Sequence, residues 1–187
     1  GLAALYAKRN QPFVFRAIGR LDKNTSGLIV LAKNALSAGL LTAQASHKIL
    51  YHTYLAVCTG QLPERGTIQA PIGRAEDSVI RRIVRTDGAS AITHYVRLDT
   101  KNGYSLARVW LETGRTHQIR VHFSHIGHPL PGDFLYYPDF SKISRHALHA
   151  HTLTLRQPVT GQPLFFTAPL PSDMQVFGFP DTAERLR

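Results

Sequence analysis

Apolar and polar residues alternate along the middle of the chain in the pattern of half-buried β-strands. Residues 91–99 and 104–112 both alternate in this way, and Asn102-Gly103 between them is typical of a tight hairpin turn. The sequence therefore predicts an antiparallel hairpin in this region. Four further segments, rich in apolar or β-branched residues, are predicted as strands: 51–58, 79–85, 148–155 and 164–167.

The first part of the chain predicts a mixture of helix and buried strand. Residues 27–32 form a short, continuous apolar run, as expected of a strand that is buried on both faces. Asn34 is predicted to cap a helix whose apolar residues recur at helical spacing: Leu36, Leu40, Leu41 and Ala45. Residues 2–9 predict the end of an earlier helix.

A third helix is predicted after the hairpin. Thr116 is its expected N-cap and Gly127 its terminator, and its apolar face contains Ile119, Phe123 and Ile126. The predicted order of elements indicates an α+β fold: a strand, a helix and a strand come first, and hairpins, one more helix and further strands follow. We expect a mixed, mainly antiparallel β-sheet flanked by a few helices.

The length and charge of the chain restrict what it can be. Its 187 residues, 43% of them hydrophobic, are sufficient for one domain with a substantial core. Lys and Arg number 22 against 12 Asp and Glu, which gives a formal net charge of +10 and a sequence pI near 10.2. This balance favours a polyanionic partner, and nucleic acid before a membrane surface.

The sequence also carries signals about its compartment. The single cysteine, Cys58, allows neither an intrachain disulfide nor a cysteine-rich zinc site, so we expect it to pack as a small hydrophobic residue. No apolar run approaches the length of a membrane-spanning helix, and the start lacks a secretory signal. These features predict a cytoplasmic protein. Because the chain begins at Gly1 and its one methionine is Met174, we expect that its natural N-terminus is missing.

Asp22 is the first candidate for chemistry, because it is the only carboxylate among the first 63 residues, which contain seven Lys and Arg. An acid in such surroundings should be ionised, either as the partner of Arg20 or Lys23 or as a nucleophile that acts as an anion. The hydroxyls of Thr25 and Ser26 are expected to bond the backbone of its loop, and Gly27 to allow close packing.

A second candidate is the segment 113–122, Thr-Gly-Arg-Thr-His-Gln-Ile-Arg-Val-His. The start of the predicted helix would direct free N–H groups towards an anion such as a phosphate, although a solvated basic face is the simpler interpretation. Arg115 and Arg120 are five residues apart, so on a helix they diverge and should have different roles.

Histidines form the third candidate group: His117, His122, His125 and His128, and later His146, His149 and His151. The spacing of His122, His125 and His128 is compatible with a metal site, since residues three apart are neighbours on a helix. However, no His-Glu-x-x-His pattern is present, and Asp133 is the one nearby residue that could complete a ligand set. We therefore expect no metal, and we expect these rings to bond loops, caps or phosphates.

Several motifs together resemble the RluA family of pseudouridine synthases. Residues 20–28, Arg-Leu-Asp-Lys-Asn-Thr-Ser-Gly-Leu, resemble that family's Arg-Leu-Asp-x-x-Thr-Ser-Gly motif. Other matching segments follow in family order: Tyr54 to Val57 with Gly60, residues 113–122, residues 126–130 with Gly132 and Asp133, residues 148–150, and residues 166–169. The resemblance covers about residues 16 to 171.

The resemblance implies a function and roles for single residues. Asp22 matches the catalytic aspartate, Tyr54 the aromatic residue that stacks on the target uracil, Arg120 the arginine paired with the aspartate, and Arg20 a residue associated with extrusion of the base. The implied reaction isomerises uridine to pseudouridine in structured RNA, ribosomal or transfer, without a metal or organic cofactor. It breaks the glycosidic C–N bond and rejoins the uracil through C5.

Other residues complete the expected site. Arg115, His117, Arg81 and Arg82 are candidates for binding phosphates of the RNA, the last two on a basic strand. His52 departs from the family, which has Lys or Arg two residues before the tyrosine. We expect residues 1–187 to form one catalytic domain without its natural N-terminal segment, and to be monomeric.

Two other functions are compatible with parts of this sequence. A non-catalytic RNA-binding module on the same fold would explain the charge, but phosphate binding alone does not require Asp22, Tyr54 and Arg120 as a set. An RNA or DNA hydrolase that uses histidines or a metal lacks the carboxylates it would need. We therefore favour the isomerase.

Overall fold

The computed structural model describes residues 2–12 and 14–180. The four helices are α1 (Leu2–Lys8), α2 (Ala35–Ser46), α3 (Gln118–His125) and α4 (Ser172–Gln175). The first six strands are β1 (Ala17–Ile18), β2 (Ser26–Gly27), β3 (Val30–Leu31), β4 (Tyr51–Thr59), β5 (Arg65–Gln69) and β6 (Ile72–Arg74). The remaining strands are β7 (Arg82–Val84), β8 (Ile92–Lys101), β9 (Tyr104–Leu111), β10 (Leu148–Arg156) and β11 (Pro163–Thr167).

A seven-stranded sheet forms the centre of the protein. Its strands run in the order β11-β10-β4-β9-β8-β5, and the short β2 adds to β10 as the parallel partner while the other pairs are antiparallel. Two smaller antiparallel sheets, β1 with β3 and β6 with β7, flank it. The predicted α+β class with a mixed, mainly antiparallel sheet is confirmed.

Each face of the central sheet contributes to its own apolar cluster. On one face, strand residues such as Ala56 and Val109 pack with Phe123 of α3. On the other face, Leu55 and Leu106 pack against C-terminal residues, including Phe177. Alternation along β4 and β9 therefore buries both faces over part of their length. Cys58 lies in the first cluster, and burial raises the pKa of its thiol to about 12.

Turn and cap chemistry formed as predicted at three positions. Asn102 and Gly103 both have positive φ, 52° and 78°, as a two-residue hairpin turn between β8 and β9 requires. The side chain of Asn34 accepts a hydrogen bond of 2.8 Å from the backbone N–H of Ser37 at the start of α2. Gly127, with a φ of 80°, terminates α3.

The predicted strand at residues 27–32 is wrong. That segment contains the last residue of β2 and the whole of the two-residue β3, and Ile29 between them is 44% exposed. The reason is that β3 pairs with β1 alone, in a two-stranded sheet, so no layer covers both of its faces. The predicted apolar face of α2 is also wrong in part: Leu41 is buried, but Leu36 and Leu40 are exposed.

Two further predictions need correction. The strand predicted at residues 79–85 is limited to Arg82–Val84. Thr116 does not cap α3, because His117 takes the N-cap position in a left-handed conformation and makes no capping bond with its side chain. The side chain of Gln118 instead accepts bonds of 2.9 Å from the Arg115 N–H and the Thr113 hydroxyl. Among the described residues, no helix is long and apolar enough to span a membrane.

Candidate active site

The loop that carries Asp22 is closed by a short turn. The backbone N–H of Thr25 donates a 2.9 Å hydrogen bond to the carbonyl of Asp22, and Asn24 between them has a φ of 75°. Asparagine tolerates this left-handed conformation better than most residues with a side chain. The turn therefore reverses the chain directly after Asp22 and leads it into β2.

Long-range side-chain bonds hold this loop against the start of β10. The Thr25 hydroxyl lies 2.8 Å from His146 Nε2, and the Ser26 hydroxyl lies 2.9 Å from His149 Nδ1. Arg145 Nη1 donates to the carbonyl of Asn24 at 3.3 Å. The prediction that both hydroxyls would bond the loop backbone is therefore wrong, because histidines from a distant part of the chain take these bonds.

Gly27 lets the loop approach β10 more closely than any other residue could. A Cβ atom at this position would lie 2.2 Å from the carbonyl oxygen of Ala150, and the φ of Gly27 is 112°. Both the space and the backbone conformation therefore require glycine. This confirms the predicted close packing at Gly27, and it fixes the end of the Asp22 loop to the central sheet.

Arg120 lies under the loop with a carboxylate on each side. Its Nη1 is 3.2 Å from Asp22 Oδ2. On the other side, its Nε lies 2.7 Å from Asp133 Oδ2 and its Nη2 lies 2.7 Å from Asp133 Oδ1. The side chains of Arg120 and Asp133 are 2% and 1% exposed, and that of Asp22 is 16% exposed. The guanidinium thus has one fully buried anion and one that reaches solvent.

The remaining contacts of Asp133 and Arg120 explain how the buried charges are tolerated. Asp133 Oδ1 also accepts backbone N–H groups from Leu135 and Tyr136, at 3.1 and 3.3 Å. The rings of Tyr136 and Phe134 lie 5.1 and 5.8 Å from the guanidinium carbon. Buried charge is costly unless it is paired and hydrogen-bonded, and here both conditions are met.

The electrostatic balance favours ionised groups in this centre. Burial opposes the charge of Arg120, but the hydrogen-bonded Asp133 and the nearby Asp22 together raise the pKa of Arg120 above its usual value. Arg120 holds Asp22 at Oδ2, whereas Asp22 Oδ1 accepts no hydrogen bond from the described residues. This second oxygen therefore remains available to a substrate.

Tyr54 lies on strand β4, and it stands beside Asp22 of the loop. Burial, and then the negative charge of Asp22, raise the pKa of its phenol to about 12, so the ring remains neutral at physiological pH. Neighbouring residues of β4 are fully buried, which fixes the position of the tyrosine on the sheet. A rigid neutral ring at the edge of a cavity is suited to stacking on a planar ligand.

Asp22 and Tyr54 line an open pocket of about 170 Å³. Arg20, Arg115 and His117 also line it, so five of the eight predicted site residues share one cavity. Arg120 is the sixth, placed beneath Asp22. Arg115 is exposed and donates from its Nε to the Ser90 carbonyl at 2.9 Å. Its setting differs from that of the buried Arg120, but Arg115 lies before α3, so the helical spacing used in the prediction does not apply to this pair.

The other two predicted residues lie apart from this pocket. Arg81 and Arg82 line a separate groove between β7 and α3. Arg81 Nη2 pairs with Asp77 at 2.7 Å, and Arg82 Nη1 donates to nearby backbone carbonyls. The Arg82 backbone N–H donates to the Tyr136 hydroxyl at 3.0 Å, which links β7 to the active centre.

Sequence reasoning gave no place in this centre to two residues, Asp133 and Tyr136, but it expected histidines such as His146 to bond loops, as His146 does with Thr25. Asp133 lies within a matched family segment, which was a usable signal, but it was weighed there only as a metal ligand. His146 is fully buried, and burial together with the charge of Arg120 lowers its pKa to about 4, so it is neutral at pH 7. In the described part of the chain, no group of three or more potential metal ligands is present.

A family model described as RNA pseudouridylate synthase matches residues 2–125. A Chloroflexus aurantiacus protein named as an uncharacterized RNA pseudouridine synthase is 47% identical over 161 residues, which are 85% of this chain and 51% of that protein. Ribosomal large subunit pseudouridine synthase D of Nitrosomonas europaea is 43% identical over 166 residues, 84% of this chain and 48% of that protein. The chain thus spans about half the length of the curated relatives it matches.

A solved structure of human RNA Pseudouridylate Synthase Domain Containing 1 has a similar fold. It superposes with a TM-score of 0.72 at 30% sequence identity, and the match covers 83% of this chain and 69% of the human one. A second human structure, of RNA Pseudouridylate Synthase Domain Containing 4, gives a TM-score of 0.73 at 23% identity, which supports the fold alone. The resemblance found in the sequence motifs is confirmed by these matches.

Proposed function

This chain belongs to the RNA pseudouridylate synthase family, and from that premise we propose that it isomerises specific uridines of structured RNA to pseudouridine. The observation that supports this activity best is the environment of Asp22. Its carboxylate lies at the wall of a pocket, 3.2 Å from a buried guanidinium that a second carboxylate holds in place. An RNA-binding surface alone has no need of this arrangement, which disfavours the non-catalytic alternative.

The reaction requires little beyond a well-placed anion. The bond between C1′ of the ribose and N1 of the uracil breaks, and a bond between C1′ and C5 replaces it. The hydrogen at C5 is lost as a proton and N1 gains one, so atoms and electrons balance within the substrate and no oxidant is consumed. Asp22 can serve by attack on the substrate or by removal of a proton, and both require the ionised form.

Arg120, Tyr54 and Arg20 have complementary roles in this proposal. Arg120 orients the carboxylate of Asp22 and compensates its charge, with Asp133 as the fixed counter-ion. Tyr54 stacks on the uracil, because its neutral ring is fixed next to Asp22 at the pocket wall. The base of a folded RNA must leave its helix to reach this pocket, and the exposed Arg20 at the rim is placed to occupy the space it leaves.

Ribosomal RNA is the first substrate to test, and transfer RNA the second. Relatives from Nitrosomonas europaea and Pseudomonas aeruginosa carry the name ribosomal large subunit pseudouridine synthase D. The net charge of +10 suits either RNA. We further propose that residues 1–187 act as one monomeric catalytic domain in the cytoplasm. Residues 1, 13 and 181–187 of that proposed domain lie outside the described residues.

Release of tritium from RNA labelled at C5 of uridine tests the activity directly, because the reaction removes that hydrogen. The unsubstituted chain should release tritium, whereas Asp22→Asn should release no more than a protein-free control. The fold of Asp22→Asn should persist, since Arg120 keeps its two bonds to Asp133. Asp77→Asn makes the same change at an exposed position outside the pocket and should retain full activity.

Two outcomes contradict the proposal. Tritium release by Asp22→Asn at the rate of the unsubstituted chain would exclude Asp22 as the catalytic group. If the unsubstituted chain releases no tritium from total RNA of cells that lack the gene, the chain does not perform this reaction by itself. Mapping the modified positions in such RNA before and after incubation identifies the substrate.

A further inference from the structure

The candidate active site is the first of three grooves that follow one another across the surface. The catalytic pocket and the second groove, of about 380 Å³, share Tyr54, Leu111 and Gly114 as a common wall. The second groove in turn shares Tyr51 and Trp110 with a third, of about 370 Å³. The three form a continuous path. We call the part formed by the second and third grooves, beyond the catalytic pocket, the side track.

The side track passes around the beginning of β4 from one face of the central sheet to the other. Tyr54 lies on the face that is packed by α3. Thr53 pairs with Trp110 across β4 and β9, so these two side chains share the opposite face. Phe165 of β11 lies on that same face, because it pairs with Thr154, which pairs in turn with Tyr51.

Aromatic rings line the side track without being buried by the fold. Tyr51 is 48% exposed, Trp110 36% and Phe165 63%. The indole of Trp110 is stacked against the His94 ring, with centroids 5.4 Å apart and planes at 21°, so it is held at a fixed angle. Exposed aromatic residues grouped in a groove indicate a binding surface rather than ordinary surface composition.

The charges of the side track favour an anionic occupant. Lys48 lies in the second groove and Arg108 in the third, and within the described part of the chain neither has a carboxylate partner. The acid of the second groove, Glu112, is bound at 2.7 Å by His94 Nε2. Free cations next to exposed rings are the combination by which proteins bind single-stranded nucleic acid: phosphates pair with the cations and bases stack on the rings.

We propose that the side track binds the unpaired RNA strand adjoining the target uridine, with a base stacked on Trp110 and phosphates at Lys48 and Arg108. This inference rests on the proposed function, which places a uridine in the catalytic pocket. Continuity explains the choice of occupant, since nucleotides next to an extruded uridine reach the second groove directly across the wall formed by Tyr54, Leu111 and Gly114. The track thereby contributes to the choice of uridine.

Trp110 reports on the side track without a label, because it is the one tryptophan of the sequence. The Asp22→Asn chain, which should leave its RNA unmodified, is titrated with a short single-stranded oligouridylate while tryptophan fluorescence is recorded. We expect saturable quenching that weakens with added salt. A double-stranded RNA of equal length should quench less, since its bases are not free to stack.

Matched substitutions assign the binding to the proposed residues. Trp110→Leu should weaken binding of fluorescein-labelled RNA about tenfold, whereas Trp110→Phe should retain most of it, because phenylalanine still stacks. Lys48→Gln and Arg108→Gln should each lower the slope of log affinity against log salt by about 0.7, the loss of one phosphate contact on a single strand. Lys33→Gln, which removes an equal charge near α1, should leave that slope unchanged.

The possible failures are distinguishable from failure of the proposed function. If the unsubstituted chain releases tritium from labelled RNA while single-stranded RNA leaves Trp110 fluorescence unchanged, the enzyme proposal stands and the side track is wrong. Equal RNA affinity of the Trp110→Leu and Trp110→Phe chains overturns the stacking contact. The Trp110 fluorescence could instead change with protein concentration in the absence of RNA, and sedimentation could show a dimer. These two results together would identify a second copy of the chain as the occupant and would also overturn the proposal.

Discussion

Two arginine–aspartate pairs hold the Asp22 loop from different sides, and they differ chiefly in burial. Arg120 pairs with Asp133 through two bonds of 2.7 Å, and Arg145 pairs with Asp173 through bonds of 2.7 and 2.9 Å. The first pair is 2% and 1% exposed, whereas the second is 14% and 44% exposed. The geometry of the two pairs is almost the same, but their surroundings are not.

The remaining donors of each guanidinium show what each pair does. Arg120 directs Nη1 to the carboxylate of Asp22, so its pairing determines the charge of the loop. Arg145 directs Nη1 to backbone carbonyls, including those of Asn24 and Leu148, so its pairing determines the position of the loop. A buried ion pair contributes to chemistry here, while a half-exposed one contributes to placement.

Removal of the buried cation should have the largest effect. Arg120→Met leaves Asp133 as an unpaired buried anion, and we expect the free energy of unfolding to fall by about 4 kcal/mol, since an uncompensated charge remains in the core. Tritium release should fall to background, because Asp22 loses the cation that positions its carboxylate. Urea unfolding measures the first effect. Normal turnover by a folded Arg120→Met chain would remove Arg120 from the mechanism.

The next effect concerns the anion of the same pair. Asp133→Asn should lower the free energy of unfolding by about 3 kcal/mol, less than Arg120→Met because the buried guanidinium keeps Asp22 as a partner. The catalytic rate constant should fall more than the affinity for RNA, since Asp133 does not line the pocket. Single-turnover kinetics separate the two quantities. An equal loss in both would indicate general unfolding instead of misplacement of Arg120.

A third test uses pH, through the buried histidine that bonds Thr25 of the Asp22 loop. Burial, and then the charge of Arg120, lower the pKa of His146 from 6.5 to about 4. Between these values the unfolded chain binds a proton that the folded chain does not, so stability falls as the pH falls. From pH 7 to pH 5 this residue alone should cost about 2 kcal/mol.

His146→Gln removes that contribution and should flatten the pH dependence of urea unfolding by this amount. Other buried histidines with lowered pKa, such as His122, act in the same direction and remain as the background in both proteins. His47→Gln, the same substitution at the exposed C-cap of α2, is the matched comparison. Parallel curves for the His146→Gln and unsubstituted chains would contradict the assignment.

The half-exposed pair should give the smallest effect. Asp173→Asn matches Asp133→Asn in chemistry and in the geometry of the lost bonds, but solvent screens the charge it leaves. We expect a decrease of about 1 kcal/mol or less in the free energy of unfolding, with tritium release nearly unchanged. If the two Asp→Asn variants are equally destabilised, burial does not explain the difference between the pairs.

The sequence was sufficient to predict those helices and turns whose ends are determined by residues close by in the chain. Asn34 caps α2 through a residue three positions away, and the turn at Asn102-Gly103 needs two positive φ angles that these residues adopt readily. The alternation along β8 and β9 predicted their strands for the same reason. The side of α2 that is buried depends on distant neighbours, so Leu36 and Leu40 were assigned to the core wrongly.

The site was predicted through family motifs, and its supporting contacts were largely missed. Asp22, Tyr54 and Arg120 were named by position, and the ion pair between the first and last is present. Nothing in the spacing shows that Thr25 and Ser26 bond histidines 121 and 123 residues away, because the parallel pairing of β2 with β10 brings them together. Asp133 follows Arg120 by 13 residues, beyond the end of α3, so helical periodicity does not connect them.

The dependence of the Asp22 loop on distant partners has a consequence for synthesis of the protein. Asp22, Thr25 and Gly27 leave the ribosome early, but the residues that hold them, Arg120, His146 and Ala150, follow about a hundred residues or more later. Chains grow from the N-terminus, and domains generally fold as units. A nascent chain therefore cannot complete the contacts that hold the Asp22 loop until β10 has emerged, even when the first hairpin of the central sheet has formed.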